Sequence, residues 1–221
     1  YKMLAGVDLG KDQSYFLWTI GQEQLSRTFF PVGGFKKTHV RDLAKKFKLP
    51  VADKKDSQGL CFMGKLDMKD FLKHYIQEKE GEVLDDKGNV VGTHRGALFY
   101  TLGERHGFTI TKKITEERPY YVVAKDFESN TITVVHDVEI FDDKTQNIQL
   151  ISVNFCRGIS FDTKRKLTAQ IRYHGEHNVC EVQKKEDGTF ELHFDAPILV
   201  ARGQSIVLYD KGECIGGGVV K

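Results

Sequence analysis

The chain has 221 residues, 40% of them hydrophobic and 29% charged, the balance of a packed protein with one large domain or two small ones. Its net charge of +2 is too small for a whole-molecule field to attract nucleic acid, so any such binding has to come from local clusters. Apolar runs such as 148–155 fall well short of the roughly 20 apolar residues that span a bilayer, and no signal or transit peptide is visible.

The first residue is Tyr1 rather than Met, which suggests a fragment. Val40, Leu43, Ala44 and Phe47 recur at helical spacing and predict a helix over about Lys37–Lys48, stopped by Pro50. The same stretch gathers Lys36, Lys37, Arg41, Lys45, Lys46, Lys48, Lys54 and Lys55 against Asp42 and Asp53, which is either a basic patch or a solvated helix face. Residues 54–64 lack a helical period and read as a loop flanking a short strand. Asp67 at an N-cap, an apolar face of Met68, Phe71, Leu72, Tyr75 and Ile76, and Gly81 past the end predict a second helix. Asp86-Lys87-Gly88, Glu186-Asp187-Gly188 and Asp210-Lys211-Gly212 are hairpin-turn signals between runs rich in Val, Ile, Phe and Tyr. Phe190, Leu192 and Phe194 alternate with polar residues, as on a half-buried antiparallel strand. From about Asp137 onward no helical pattern occurs, and the turn spacing suggests a small barrel or sandwich. Domain boundaries are expected near His136 and between Met63 and Asp67.

The four cysteines, Cys61, Cys156, Cys180 and Cys214, form no C-x-x-C pair and have no His at ligand spacing, which argues against a zinc site; we expect no metal. Cys61 stands apart because it lies between Gly59 and Gly64 with Lys54 and Lys55 before it, and nearby cations raise a thiol's thiolate fraction. A cysteine before Phe62 and Met63 can equally be a small core hydrophobe. The other three lie in strand-like segments and read as buried filler.

Several blocks, in order and spacing, resemble the bacterial and mitochondrial tRNA-specific 2-thiouridylases. They are Gly10-Lys11-Asp12-Gln13-Ser14-Tyr15-Phe16-Leu17, Phe30-Pro31-Val32-Gly33 and Lys55-Asp56-Ser57-Gln58-Gly59-Leu60-Cys61-Phe62-Met63-Gly64. Gly92-Thr93-His94-Arg95-Gly96 with Tyr100-Thr101-Leu102-Gly103, the pair Arg172-Tyr173, and the stretch from Gly203-Gln204 through Tyr209 to Gly216-Gly217-Gly218 agree as well. The likeness covers essentially the whole chain.

The resemblance implies sulfur transfer to tRNA, with sulfur replacing the oxygen on carbon 2 of a wobble uridine. An ATP-dependent step adenylates that oxygen, and a persulfide on Cys61, filled by an upstream sulfur-relay protein, supplies the sulfur. In the family a second cysteine, earlier in the chain, then forms a disulfide with the first. That part, and the Ser-Gly-Gly-x-Asp-Ser loop that would cradle ATP, are absent from this sequence, so we expect the fragment alone to be inactive. Lys11, Asp12 and Gln13 match a family segment that contacts tRNA near the anticodon, Arg172 and Tyr173 a second tRNA-contacting pair on the barrel, and Gln204 a further contact. Read bare, Asp12 would be a helix cap and Arg172-Tyr173 an ordinary strand edge. Where the family commonly has Gln this chain has Glu104, whose carboxylate would repel phosphate unless Arg105 or His106 pairs with it. His94 and His106 are expected to be structural hydrogen-bonders.

We therefore expect an α+β chain in three parts. Residues 1–66 are a helical and loop remnant of an α/β catalytic domain, 67–136 a small central mixed domain, and 137–221 a C-terminal antiparallel β-barrel. It is expected to be monomeric, to bind tRNA but not DNA or membrane, and to work in a bacterial cytoplasm rather than a mitochondrion. Two rivals stand beside this reading: a non-catalytic RNA-binding module with an inert Cys61, and a cysteine hydrolase, which would need a His near Cys61.

Overall fold

The computed structural model describes residues 1–56, 68–111, 118–136, 145–158 and 165–221. The chain divides into two compact units, one of Tyr1–Lys55 with Thr145–Lys221 and one of Asp56–Lys144. The class is α+β, rich in strands and poor in helices. Among the described residues no helix is long and apolar enough to cross a membrane.

The first unit opens with a short strand, β1 (Met3–Leu4), a 3-10 turn at Ser14–Leu17, and helices α1 (Gln22–Ser26) and α2 (Lys37–Lys46). The side chain of Asp8 accepts the Lys37 N–H at 2.9 Å and so starts α2. The helix ends two residues before the predicted Lys48. Lys48 takes a left-handed φ of 52°, and the Lys48 and Leu49 N–H groups bond back to Lys45 and Ala44, a Schellman closure ahead of Pro50. The expected apolar stripe is present but not buried: Val40, Leu43 and Ala44 are only half-covered, and Phe47 is 65% exposed.

In the second unit, α3 (Met68–Lys73) is shorter than the Met68–Ile76 face suggested, and Asp67 lies outside the described residues. Gly81 is not its C-terminal glycine but the first residue of β2 (Gly81–Leu84). A side chain there would put Cβ 2.0 Å from the Asn130 carbonyl oxygen, so only glycine fits. With β3 (Val90–His94), β4 (Thr109–Ile110), β5 (Tyr121–Asp126) and β6 (Thr131–Val135), β2 forms a sheet ordered β4-β3-β2-β6-β5, in which β2 and β6 run parallel. Val83, Val91, Val122, Ile132 and Val134 make its core, together with Tyr100. The Asp86-Lys87-Gly88 signal is the β2–β3 turn, with Gly88 at φ 80°.

The rest of the first unit is the barrel: β7 (Thr145–Phe155), β8 (Arg165–Gln170), β9 (His177–Lys184), β10 (Phe190–Ile198), β11 (Ser205–Asp210) and β12 (Glu213–Val220). The order β12-β11-β8-β9-β10-β7 closes because β7 also pairs with β12. The two remaining hairpin signals are its β9–β10 and β11–β12 turns, where Gly188 and Gly212 hold positive φ. On β10, Leu192 and Phe194 point inward at 0% exposure with Phe190 packed beside them, which is the predicted alternation.

β11 breaks that alternation. Ile206 and Leu208 enter the barrel core, while Val207 and Tyr209 face the other way into a second cluster with Met3, Tyr15, Trp18, Leu25, Cys156 and Cys214. A strand buried on both faces reads as a continuous apolar run, and Ile206-Val207-Leu208-Tyr209 is one. The N-terminal segment is thus a layer on the outside of the barrel. β1 extends β12, Asn154 Nδ2 donates to the Trp18 carbonyl at 2.8 Å, and Lys2 and Arg157 lie 3.1 and 3.4 Å from Glu213.

Candidate nucleic-acid interface

The residues Lys11, Asp12 and Gln13 sit in the turn before the 3-10 segment, and they divide by direction. Lys11 and Gln13 are exposed. The Asp12 carboxylate is used within the protein: Oδ1 accepts the Gly6 and Ser14 N–H groups at 2.9 and 3.2 Å, and Oδ2 accepts the Ser14 hydroxyl at 2.6 Å. The 3-10 segment itself is capped at Gln13 without a side-chain bond, so Asp12 organises the turn one residue earlier than a helix cap would. Lys11, Gln13 and Lys37 rim a cleft of about 400 Å³ walled by Phe29, Phe30 and Val32.

From Asp12 a chain of polar contacts leads across the barrel wall. The Ser14 hydroxyl lies 3.0 Å from the Tyr209 hydroxyl, which donates to Gln170 Oε1 at 3.4 Å. Gln170 Nε2 in turn donates to the Gly175 carbonyl at 3.1 Å, and the Gly175 N–H closes the loop onto the Arg172 carbonyl at 2.9 Å. Arg172 is exposed and Tyr173 half-buried, its ring 4.5 Å from Phe16 and 6.2 Å from Tyr15. Tyr15 also donates its hydroxyl to the Ser205 carbonyl at 2.9 Å, next to Gln204. The Gln204 amide oxygen accepts the Ala201 N–H within its own turn at 3.4 Å. Three segments far apart in sequence therefore meet through Ser14, Tyr15, Tyr209 and Gln170. Sequence reading missed those four; the signal was the unbroken apolar run of β11, which announces a partner on the barrel's outer face.

Burial raises the Tyr209 hydroxyl's pKa far above the ordinary range, so it is a protonated donor at any working pH. Tyr209→Phe is expected to cost about 1–2 kcal/mol, read as a lower urea midpoint at unchanged slope, because Gln170 loses a buried partner. An unchanged midpoint would show that this contact does not hold the segment.

Cys61 lies outside the described residues. Cys156, Cys180 and Cys214 are free and each 0% exposed, as buried filler should be. In the second unit, His94 is 3% exposed and its Nδ1 accepts the Gly96 N–H at 2.9 Å, a structural role. Glu104 Oε2 accepts the Thr101 N–H at 3.0 Å and the Thr101 hydroxyl at 3.2 Å, closing its turn.

Three family models match in succession. Residues 1–65 match a tRNA methyl transferase HUP domain, 69–136 a tRNA methyl transferase PRC-barrel domain, and 145–220 an aminomethyltransferase beta-barrel domain. The tRNA-specific 2-thiouridylases MnmA of Francisella tularensis subsp. tularensis (strain WY96-3418) and subsp. holarctica (strain OSU18) are 39% identical over 99% of this chain. That of subsp. novicida (strain U112) is 38% identical over the same span. Nearly the whole chain is therefore similar in sequence to tRNA-specific 2-thiouridylases. It spans 62% of the length of these relatives. The family models are named for methyl transfer and the relatives for thiolation; tRNA is common to both sets of names.

The family's use of ATP can be tested against the residues present. The glycines of Gly216-Gly217-Gly218 are enclosed in the ladder between β11 and β7, so their N–H groups are not offered to a phosphate. No Ser-Gly-Gly-x-Asp-Ser loop occurs in the 221 residues. These residues do not fit an ATP cradle.

Proposed function

We propose that this chain is the tRNA-handling and sulfur-delivering part of a tRNA-specific 2-thiouridylase, acting in a bacterial cytoplasm. The observation that carries the RNA half of this reading is the polar path from Asp12 through Ser14, Tyr209 and Gln170 to the Arg172 loop. It fixes Lys11 and Gln13 relative to Arg172 on one rigid support, and a fixed spacing of cation and amide donors is what register along a phosphate backbone requires. Asp12 positions; Lys11, Gln13, Arg172, Tyr173 and Gln204 make the contacts, to the anticodon region of the tRNA.

The sulfur half rests on Cys61 in the Asp56-Ser57-Gln58-Gly59-Leu60-Cys61-Phe62 block, which matches the family's persulfide carrier. An upstream relay protein fills Cys61; its terminal sulfur bonds to carbon 2 of the wobble uridine as the adenylated oxygen leaves with AMP, and a second thiol, which in the family lies earlier in the chain, breaks the S–S bond by forming a disulfide with Cys61. Adenylation of that carbon's oxygen is assigned to no residue of this chain, and 1–66, 67–136 and 137–221 remain our division of it.

The reading is tested by anisotropy with an unmodified tRNA and its anticodon stem-loop. The double variant Lys11→Ala/Arg172→Ala should weaken binding at least about tenfold and reduce the salt slope by about two phosphate contacts. Incubated with ATP, tRNA and a persulfide donor, the chain by itself should give no 2-thiouridine. RNA binding that is absent in the parent chain, or indifferent to both cations, would sink the RNA half; thiolation by the chain by itself would sink the assignment of ATP chemistry.

A further inference from the structure

We propose that Phe16 and His174, with Tyr173 between them in the ring cluster, form a stacking platform for one unpaired RNA base. The inference rests on the tRNA-binding reading and deepens it by naming the side chains that receive a base. Tyr173 is the aromatic that the Arg172-Tyr173 pair offers, yet its ring is already engaged. It stacks on His174 at 3.9 Å and 26°, lies 4.5 Å from Phe16 at 47°, and is half-buried against the outer cluster of the barrel. Its neighbours leave more of their rings to solvent: Phe16 is 56% exposed, and His174 is exposed.

Two features show that this cluster is held in place. His174 has φ 59°, the left-handed region that a residue with a Cβ enters at a cost of about 1 kcal/mol or more. Strain of this kind persists where the surroundings over-determine a conformation, and here it accompanies the stacking of the imidazole on Tyr173. The loop beneath is tied by the Gln170–Gly175 and Gly175–Arg172 bonds, and Phe16 follows Tyr15, which is anchored to Ser205. A platform ordered in advance spares the ordering cost at binding.

The occupant follows from the chemistry. Stacked, exposed rings accept any flat π-surface, and the exposed guanidinium of Arg172 in the same loop supplies the charge that an RNA backbone needs. A paired base keeps its faces inside the helix, so the platform selects a base from a loop or one turned out of its stack.

The test uses the full chain and an RNA hairpin whose single-stranded loop carries 2-aminopurine, a base whose fluorescence falls on stacking. The parent chain should bind and quench. Phe16→Ala and His174→Gly should each lose most of the quench and weaken binding about 5- to 140-fold, the range for one base–aromatic stack. Glycine is chosen at 174 because it takes positive φ freely, so the loop stays folded while the ring is lost. Phe16→Tyr should keep both signals. Variants that bind and quench like the parent, while Lys11→Ala/Arg172→Ala weakens binding, would overturn the platform and leave the RNA reading standing. A parent chain that does not bind the hairpin would overturn both.

Discussion

Cys61→Ser is expected to abolish persulfide formation on the chain while changing tRNA affinity by less than about twofold. A serine oxygen cannot hold a transferable sulfur, and none of the described thiols can substitute for Cys61. Cys180 is fully buried, and burial pushes its thiol up to about 12. At neutral pH its thiolate, the only form that attacks, is therefore a vanishing fraction. Cys214 is raised still further, first by its hydrogen bond with Cys156 and then by burial. That same bond lowers Cys156, but the Cys156 sulfur is sealed at 0% exposure with the Trp18 carbonyl 3.6 Å away, so a reagent does not reach it. Intact-protein mass spectrometry after exposure to a persulfide donor should show one added sulfur in the parent and none in the variant. Iodoacetamide near neutral pH should label Cys61 well ahead of the other three. Undiminished sulfur loading of the variant would remove Cys61 from the mechanism; four cysteines equally slow to alkylate in the parent would favour the RNA-binding module with an inert cysteine.

What could be read from sequence and what could not follow from the range of the interactions involved. The three hairpins were legible because a turn with positive φ leaves its own local mark in Asp/Glu-x-Gly sequences, and Gly88, Gly188 and Gly212 all hold that φ. The barrel was legible for the same reason, since β9, β10, β11 and β12 meet across such turns. The parallel pairing of β2 with β6 was not, because it joins Val83 to Ile132 with no local signal. The reading of Gly81 as a helix terminator failed on the same ground: the group that requires glycine is the Asn130 carbonyl, almost fifty residues away. At the candidate interface, resemblance named Lys11, Asp12 and Gln13 as one group. Only the structure separates the inward carboxylate of Asp12 from its exposed neighbours, and only it reveals that Tyr209 is the polar joint between the Ser14 turn and the Arg172 loop.

Gly216→Ala is expected to prevent stable closure of the barrel. β12 is the strand on which the ring closes, paired with β11 on one edge and with β7 on the other, and Gly216 faces Leu208 and Phe155 across the two ladders. Its φ of 143° is one that a side chain rarely permits. A Cβ would stand 2.1 Å from the Asn154 carbonyl oxygen and 2.8 Å from the Phe155 Cα, both backbone atoms that cannot swing aside. Relief requires β7 to move away, which breaks the adjacent Cys156 N–H to Ile215 carbonyl bond of 2.9 Å and opens the core around Leu150 and Ile215. A loss of about 4 kcal/mol or more is expected, against a total stability of about 5–15 kcal/mol for a domain. Gly188→Ala is the control: a Cβ there meets nothing within 4 Å, so only its φ of 82° is strained, at about 1 kcal/mol. Urea unfolding should show a modest drop in midpoint for Gly188→Ala and no cooperative transition, or insoluble protein, for Gly216→Ala. A Gly216→Ala chain that unfolds at the parent's midpoint would mean that β12 and β7 do not close the ring in solution, and with it the support that fixes Tyr209 and the Arg172 loop against the N-terminal layer would be lost.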